Sequence, residues 1–118
     1  MSYDIYLLVP ETGEGIDLKE PHYLRGGTYA AGGTTEAWLN ITYNYSKYFY
    51  AALGAKGIRT IYGMTGQESI PILQTAANLL SGEPDKDYWA ATEGNAKKAL
   101  LSLIELAKAA PSGIWSGD

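Results

Sequence analysis

Polar and apolar positions change their period several times along this chain, and each change marks an element. Tyr3-Asp4-Ile5-Tyr6-Leu7-Leu8-Val9 is rich in aromatic and branched residues and stops at Pro10, which predicts a strand. Glu11-Thr12-Gly13-Glu14-Gly15 supplies turn residues, and Ile16-Asp17-Leu18 returns as a short second strand, so the N-terminal segment reads as a hairpin closed by Pro21. From Ala37 to Asn44 the pattern alternates, with Ala37, Leu39, Ile41 and Tyr43 on one face and Trp38, Asn40, Thr42 and Asn44 on the other. That is a strand with one polar face. Tyr45 to Leu53 changes to helical spacing and ends at Gly54, a suitable C-terminal cap. Gly57 to Gly63 fits a short buried strand or a connecting turn equally well.

Two more helices follow. Ser69 is a candidate cap with Pro71 in the first turn, and Ile70, Leu73, Ala76, Ala77 and Leu80 form one stripe before Gly82 and Pro84 end the helix. Glu83 to Tyr88 is a polar linker after which Trp89 folds back onto the core. Thr92 caps the last helix, whose apolar face is Ala96, Ala99, Leu100, Leu103, Ile104 and Ala107, with Lys97, Lys98, Glu105 and Lys108 in water. Pro111 terminates it. Ile114 and Trp115 then require cover, as an edge strand or against a neighbouring subunit. Strands and helices are segregated rather than arranged as repeating βαβ units, so the expected class is α+β: an N-terminal β-hairpin plus a further strand, packed against about three α-helices in a single globular domain, 1–118.

A chain of 118 residues is long enough for a hydrophobic core without cross-links, and it contains no cysteine. No signal-peptide layout and no apolar run of membrane-spanning length is present, so no membrane association is expected and the cytoplasm is the expected compartment. In that setting Asn40-Ile41-Thr42 and Asn44-Tyr45-Ser46 match the glycosylation pattern by chance. The net charge of −4 argues against a nucleic acid duplex as partner, which calls for a basic patch. It leaves room for a pocket with one or two local cations. Ten tyrosines suit cores and interfaces alike and point to a homo-oligomer.

The candidate chemistry is concentrated between His22 and Tyr45. The triplet Gly-Gly-Thr occurs twice, at Gly26-Gly27-Thr28 and Gly32-Gly33-Thr34, and paired glycines allow close approach of another group. Arg25 offers a planar charged fork and His22 is the only histidine. Arg25, with Arg59, would pair with phosphate; the glycine backbones would donate hydrogen bonds; Tyr29, Trp38 or Tyr43 would stack on a ring; and Asn40 and Asn44 would read its edges. The ligand class is thus a small phosphorylated or nucleotide-like molecule. The same residues also fit a plain surface loop with amphipathic tyrosines, and the length of the loop favours binding.

Catalysis has less support. One histidine and no cysteine cannot assemble the usual zinc site, and Asp4, Glu36 and Glu93 are more simply solvated carboxylates than ligands, so neither a metal nor a cofactor is expected. Gly63-Met64-Thr65-Gly66-Gln67-Glu68-Ser69 lacks the lysine of a phosphate loop, and no Gly-x-Ser-x-Gly elbow occurs. Acid–base work by His22 with Glu36 is the residual enzymatic reading.

The segments MSYDIYL, HYLRGGTYAAGGTTEAWLNITYNY, IRTIYGMTGQESIPIL and TEGNAKKALLSL, with the Gly-Ile-Trp-Ser-Gly-Asp tail, resemble small uncharacterised proteins of bacteriophages and prophages over nearly the whole chain. The chain is similar, more remotely, to phage proteins with N-I-T-H-N before a helix, where Tyr43 replaces the histidine. The resemblance implies a setting rather than an activity: a non-enzymatic sponge that sequesters an immune signal in the host cytoplasm as an anti-defence protein. Its alternative is an inhibitor of a host defence protein or nuclease, acting through Glu11, Glu14, Asp17, Glu20 and the segment Asp85 to Trp89.

Overall fold

The computed structural model describes residues 2–26 and 31–118. Among the described residues, five strands form two small sheets beside three helices, the α+β arrangement that the sequence predicts. Strand β1 (Ser2–Leu8) lies between β4 (Trp38–Thr42) and β5 (Ile114–Gly117), antiparallel to both. Ile5 faces Leu39 and Gly117 across its two ladders, and Leu7 faces Trp115. Alternation places Tyr3, Ile5, Leu7, Leu39, Ile41 and Trp115 on the inner face, all nearly or fully buried. The tail is therefore an edge strand of the main sheet.

The expected hairpin is reduced to its tip. Val9 N–H donates to the Glu14 carbonyl at 2.7 Å and Ile16 N–H to that of Leu7 at 3.0 Å, around a single bridge between Leu8 and Gly15. The chain then leaves β1, and β2 (Asp17–His22) pairs instead with β3 (Thr34–Glu36) in a separate two-stranded sheet. Composition explains this. Asp-Leu-Lys-Glu-Pro-His has no apolar alternation to set against Ile5 and Leu7, and Pro21 cannot donate to a ladder. The β2–β3 register is accordingly irregular between Asp17 and His22.

After β4, a 3₁₀ turn at Tyr43–Tyr45 leads into helix α1 (Ser46–Leu53), and a second one at Gly57–Ile61 occupies the short apolar run. Helix α2 (Gly66–Leu79) starts earlier than Ser69. Thr65 is its cap, accepting from Glu68 N–H at 3.0 Å while the Glu68 carboxylate accepts from Thr65 N–H at 2.8 Å. Ser69 is buried and serves the core: it donates to the Gly66 carbonyl and accepts from Trp115 Nε1, both at 2.7 Å. Pro71 thus falls in the second turn, at an exposed position of the helix.

Helix α3 (Glu93–Ala109), capped by Thr92, packs along α2. Its predicted stripe of Ala96, Ala99, Leu100, Leu103, Ile104 and Ala107 is buried, but so are Gly94, Asn95, Ser102 and Leu106. It is a central helix covered on most of its circumference. No helix among the described residues is long and apolar enough to cross a membrane.

Candidate functional site

The structure distributes the sequence-predicted site residues over several places. Trp38 and Asn40 lie on the outer side of the main sheet, where Trp38 Nε1 and Asn40 Nδ2 donate to Asp4 Oδ1 at 3.1 and 3.0 Å, and Asn40 Nδ2 also reaches Ser2 Oγ at 2.7 Å. Tyr43 meets the Tyr3 ring nearly edge-on, centroids 4.5 Å apart. Arg59 donates through Nε to the Asp118 carbonyl at 2.9 Å and stands 5.1 Å above the centroid of the Tyr3 ring. It fastens the C-terminal strand and is not gathered with Arg25. Gly32 and Gly33 hold positive φ, 83° and 84°, in the turn before β3. Gly27 and Tyr29 fall outside the described residues.

His22 has both ring nitrogens committed to backbone. Nε2 lies 2.8 Å from the Glu36 carbonyl, which can only accept, and Nδ1 accepts from Leu24 N–H at 3.3 Å. These partners fix the tautomer with its proton on Nε2. His22 thus ties β3 to the segment that leads into Arg25. The side chains of Asp4, Glu36 and Glu93 form no cluster that could hold a metal, and no such group of three exists among the described residues.

That segment forms one wall of a cavity of about 260 Å³. Tyr23, Leu24, Arg25 and Gly26 contribute from this side. Gly26 is pressed against β4: its carbonyl accepts from Thr42 N–H at 2.9 Å, and a Cβ at this position would stand 2.7 Å from Ile41 Cγ1. A glycine is required for that approach. The opposite wall is α3, which presents Asn95, Lys98 and Ser102 on one face through their spacing of three and four residues.

A strap from Gly82 to Ala91 closes the third side with Pro84, Asp85 and Tyr88. Its backbone is held almost entirely by side chains. Asn95, 3% exposed, accepts from Asp85 N–H at 2.9 Å and donates to the carbonyls of Asp87 and Ala90 at 3.0 and 2.9 Å. Asp85 and Asp87 each accept from the N–H two residues on, at 2.9 and 3.0 Å, in successive Asx turns. From the side of α1, Asn44 Nδ2 donates to the Trp89 carbonyl, Tyr45 OH to that of Tyr88 and Tyr48 OH to that of Ala91. Burial, helped by Asp87 and Tyr88, pushes the Tyr45 phenol up to about 12, so it stays a donor.

The cavity therefore carries Arg25 and Lys98 against one carboxylate, Asp85, in a chain whose overall charge is −4. Three tyrosines, Tyr23, Tyr45 and Tyr88, add flat surface, with the Arg25 guanidinium 6.0 Å from the Tyr88 ring centre. Of the sequence-predicted site residues that are described, Arg25 and Gly26 line it, and Asn44 and His22 support its walls. Sequence reasoning missed Lys98, Ser102 and Asn95, and it assigned the segment Asp85 to Trp89 to a protein-facing surface rather than to a cavity wall. A signal was available: Asn95, Lys98 and Ser102 are spaced by three and four residues, and so place polar groups on one face of a largely apolar helix. The acidic residues Glu11, Glu14, Asp17 and Glu20 are exposed away from this cavity. Comparison with family models, curated proteins and solved structures gives no match to this chain.

Proposed function

We propose that the protein binds, without altering it, a small molecule in which an anionic group is joined to a flat ring. The observation that carries this reading is the convergence of Arg25, Lys98 and three tyrosine rings on one cavity whose strap is already hydrogen-bonded in place. Arg25 takes the anion by its planar fork and Lys98 as a point charge, while tyrosine faces receive the ring. Both cations are exposed, which leaves them accessible to a ligand arriving from water. With the phage-type resemblance, the role is sequestration of a phosphorylated or nucleotide-like immune signal. A homo-oligomer remains part of this proposal.

The test is isothermal titration calorimetry with nucleoside monophosphates, followed by chromatography of the ligand recovered from denatured complex. A charge-assisted hydrogen bond contributes about 1.5–3 kcal/mol, so Arg25→Ala and Lys98→Ala should each weaken binding by roughly tenfold to a hundredfold. Melting temperatures should move little, because neither side chain is part of the core. Unchanged affinity in both variants would refute the assignment, and recovery of altered ligand would refute passive binding.

A further inference from the structure

Ser102 Oγ is the one buried side-chain polar atom that lacks a hydrogen-bond partner among the described residues. It sits in the wall of the Arg25 cavity at 2% exposure. Buried hydroxyls are almost always paired, so an orphan that faces a cavity marks a position where a partner arrives from outside. The other polar groups at this depth are occupied. Asn95 makes its three bonds to the strap, and the Tyr45 hydroxyl donates to the Tyr88 carbonyl.

Burial also orders the cavity from floor to mouth. Ser102, Asn95 and Tyr45 are 2–3% exposed, whereas Tyr23 is 68% exposed and Arg25, Lys98 and Asp85 are all in contact with solvent. Charge is at the mouth and the unused hydroxyl is at the floor. The enclosed volume of about 260 Å³ lies below the roughly 300–1,000 Å³ of pockets that enclose a drug-sized ligand. A volume of this size is sufficient for a ring system.

Resting on the binding reading above, we infer that the ligand enters ring first and that Ser102 reads a hydrogen-bonding edge of that ring. The ligand class is then a nucleoside phosphate, with a heterocycle at the floor and its phosphate between Arg25 and Lys98. A hydroxyl both donates and accepts, so Ser102 pairs with a ring carbonyl, ring nitrogen or ring N–H. A purely hydrocarbon ring leaves it unpaired and forgoes that contribution. Ser102 is a specificity-determining residue in this account.

Calorimetry with AMP, GMP, CMP, UMP and phenyl phosphate tests it, on the wild-type chain and on Ser102→Ala. The wild type should bind at least one nucleotide about tenfold more tightly than phenyl phosphate. Ser102→Ala should remove about tenfold from that nucleotide and leave phenyl phosphate unchanged or slightly tighter, with no loss of thermal stability because the variant deletes an unpaired group. If Arg25→Ala weakens binding of every probe but Ser102→Ala leaves the nucleotide-to-phenyl ratio as in the wild type, the ring-first assignment is overturned and the anion site survives. If none of the five probes binds, both readings fall.

Discussion

Gly94 gives the sharpest test of how the strap is seated. It lies in the first turn of α3 and is buried beneath the strap; a Cβ there would stand 2.0 Å from the Glu83 carbonyl oxygen, 2.5 Å from its carbon and 3.1 Å from Pro84 N. All three are backbone atoms, so no side-chain rotation relieves the clash. In an unobstructed helix Gly→Ala stabilises by about 1 kcal/mol. Here the strap must retreat by more than 1 Å to reach ordinary contact at 3.4 Å. Such a shift breaks the three Asn95 bonds, now 2.9–3.0 Å long. At about 0.5–1.5 kcal/mol each, their loss outweighs the gain in helix propensity and leaves Gly94→Ala destabilised by roughly 1–3 kcal/mol. For a domain of this size that is a fall in melting temperature of about 4–12 °C, read by circular dichroism or differential scanning calorimetry. The sign decides the matter. A variant that melts a few degrees higher than the wild type would mean that the strap does not cross α3 at this point, and the cavity would lose its third wall.

Two further outcomes follow from the same geometry. The Tyr45 phenol is raised by burial from 10.0 to about 12, and that of Tyr62 is raised by burial and by Asp118. The folded state thus prefers their neutral forms; this stability is fully present below pH 10 and is lost as pH rises toward 12. Denaturant melts across this range should show the decline, with tyrosinate absorbance lagging behind that of exposed phenols, and Tyr45→Phe should flatten the part of the decline that Tyr45 causes. Thr65→Ala removes the side-chain half of the box at the start of α2 and should cost about 1 kcal/mol, measured by chemical denaturation; a change within error would show that Thr65 is not the cap.

The features legible in the sequence are those recorded by a period. The aromatic and branched run Tyr3–Val9, the alternation of Ala37–Asn44 and the stripe of α3 predict elements that the structure contains, and of the two covers expected for Trp115 the structure shows the edge strand. Periodicity reports which face is buried and says nothing of the partner. That is why the sequence pattern pairs β1 with the neighbouring Ile16-Asp17-Leu18 in a hairpin, whereas its ladders run to β4 and β5, each distant in sequence. The strap was illegible for a different reason. Asp85, Asp87 and Asn95 act through backbone hydrogen bonds, and a run such as Asp-Lys-Asp-Tyr reads as solvated linker until one buried asparagine is seen to organise it. The helix start moved for a related reason: Ser69 and Thr65 are equally plausible caps by type, and only the indole of Trp115 reveals that Ser69 is occupied elsewhere.

The main sheet has short strands on both flanks, and both flanks are covered. At β4, Ala37 N–H donates to the Ile16 carbonyl at 3.0 Å and Thr42 N–H to that of Gly26 at 2.9 Å. At β5, Gly63 N–H donates to the Trp115 carbonyl and Trp115 N–H to that of Met64, both at 2.9 Å. Uncapped flanks act as templates for strand addition, the route to amyloid-like stacking and to strand-exchanged dimers. This sheet therefore offers little template in either direction, and strand addition to it is disfavoured. The large apolar side chains left exposed among the described residues are Tyr6, Tyr23, Tyr50, Leu79 and Trp89.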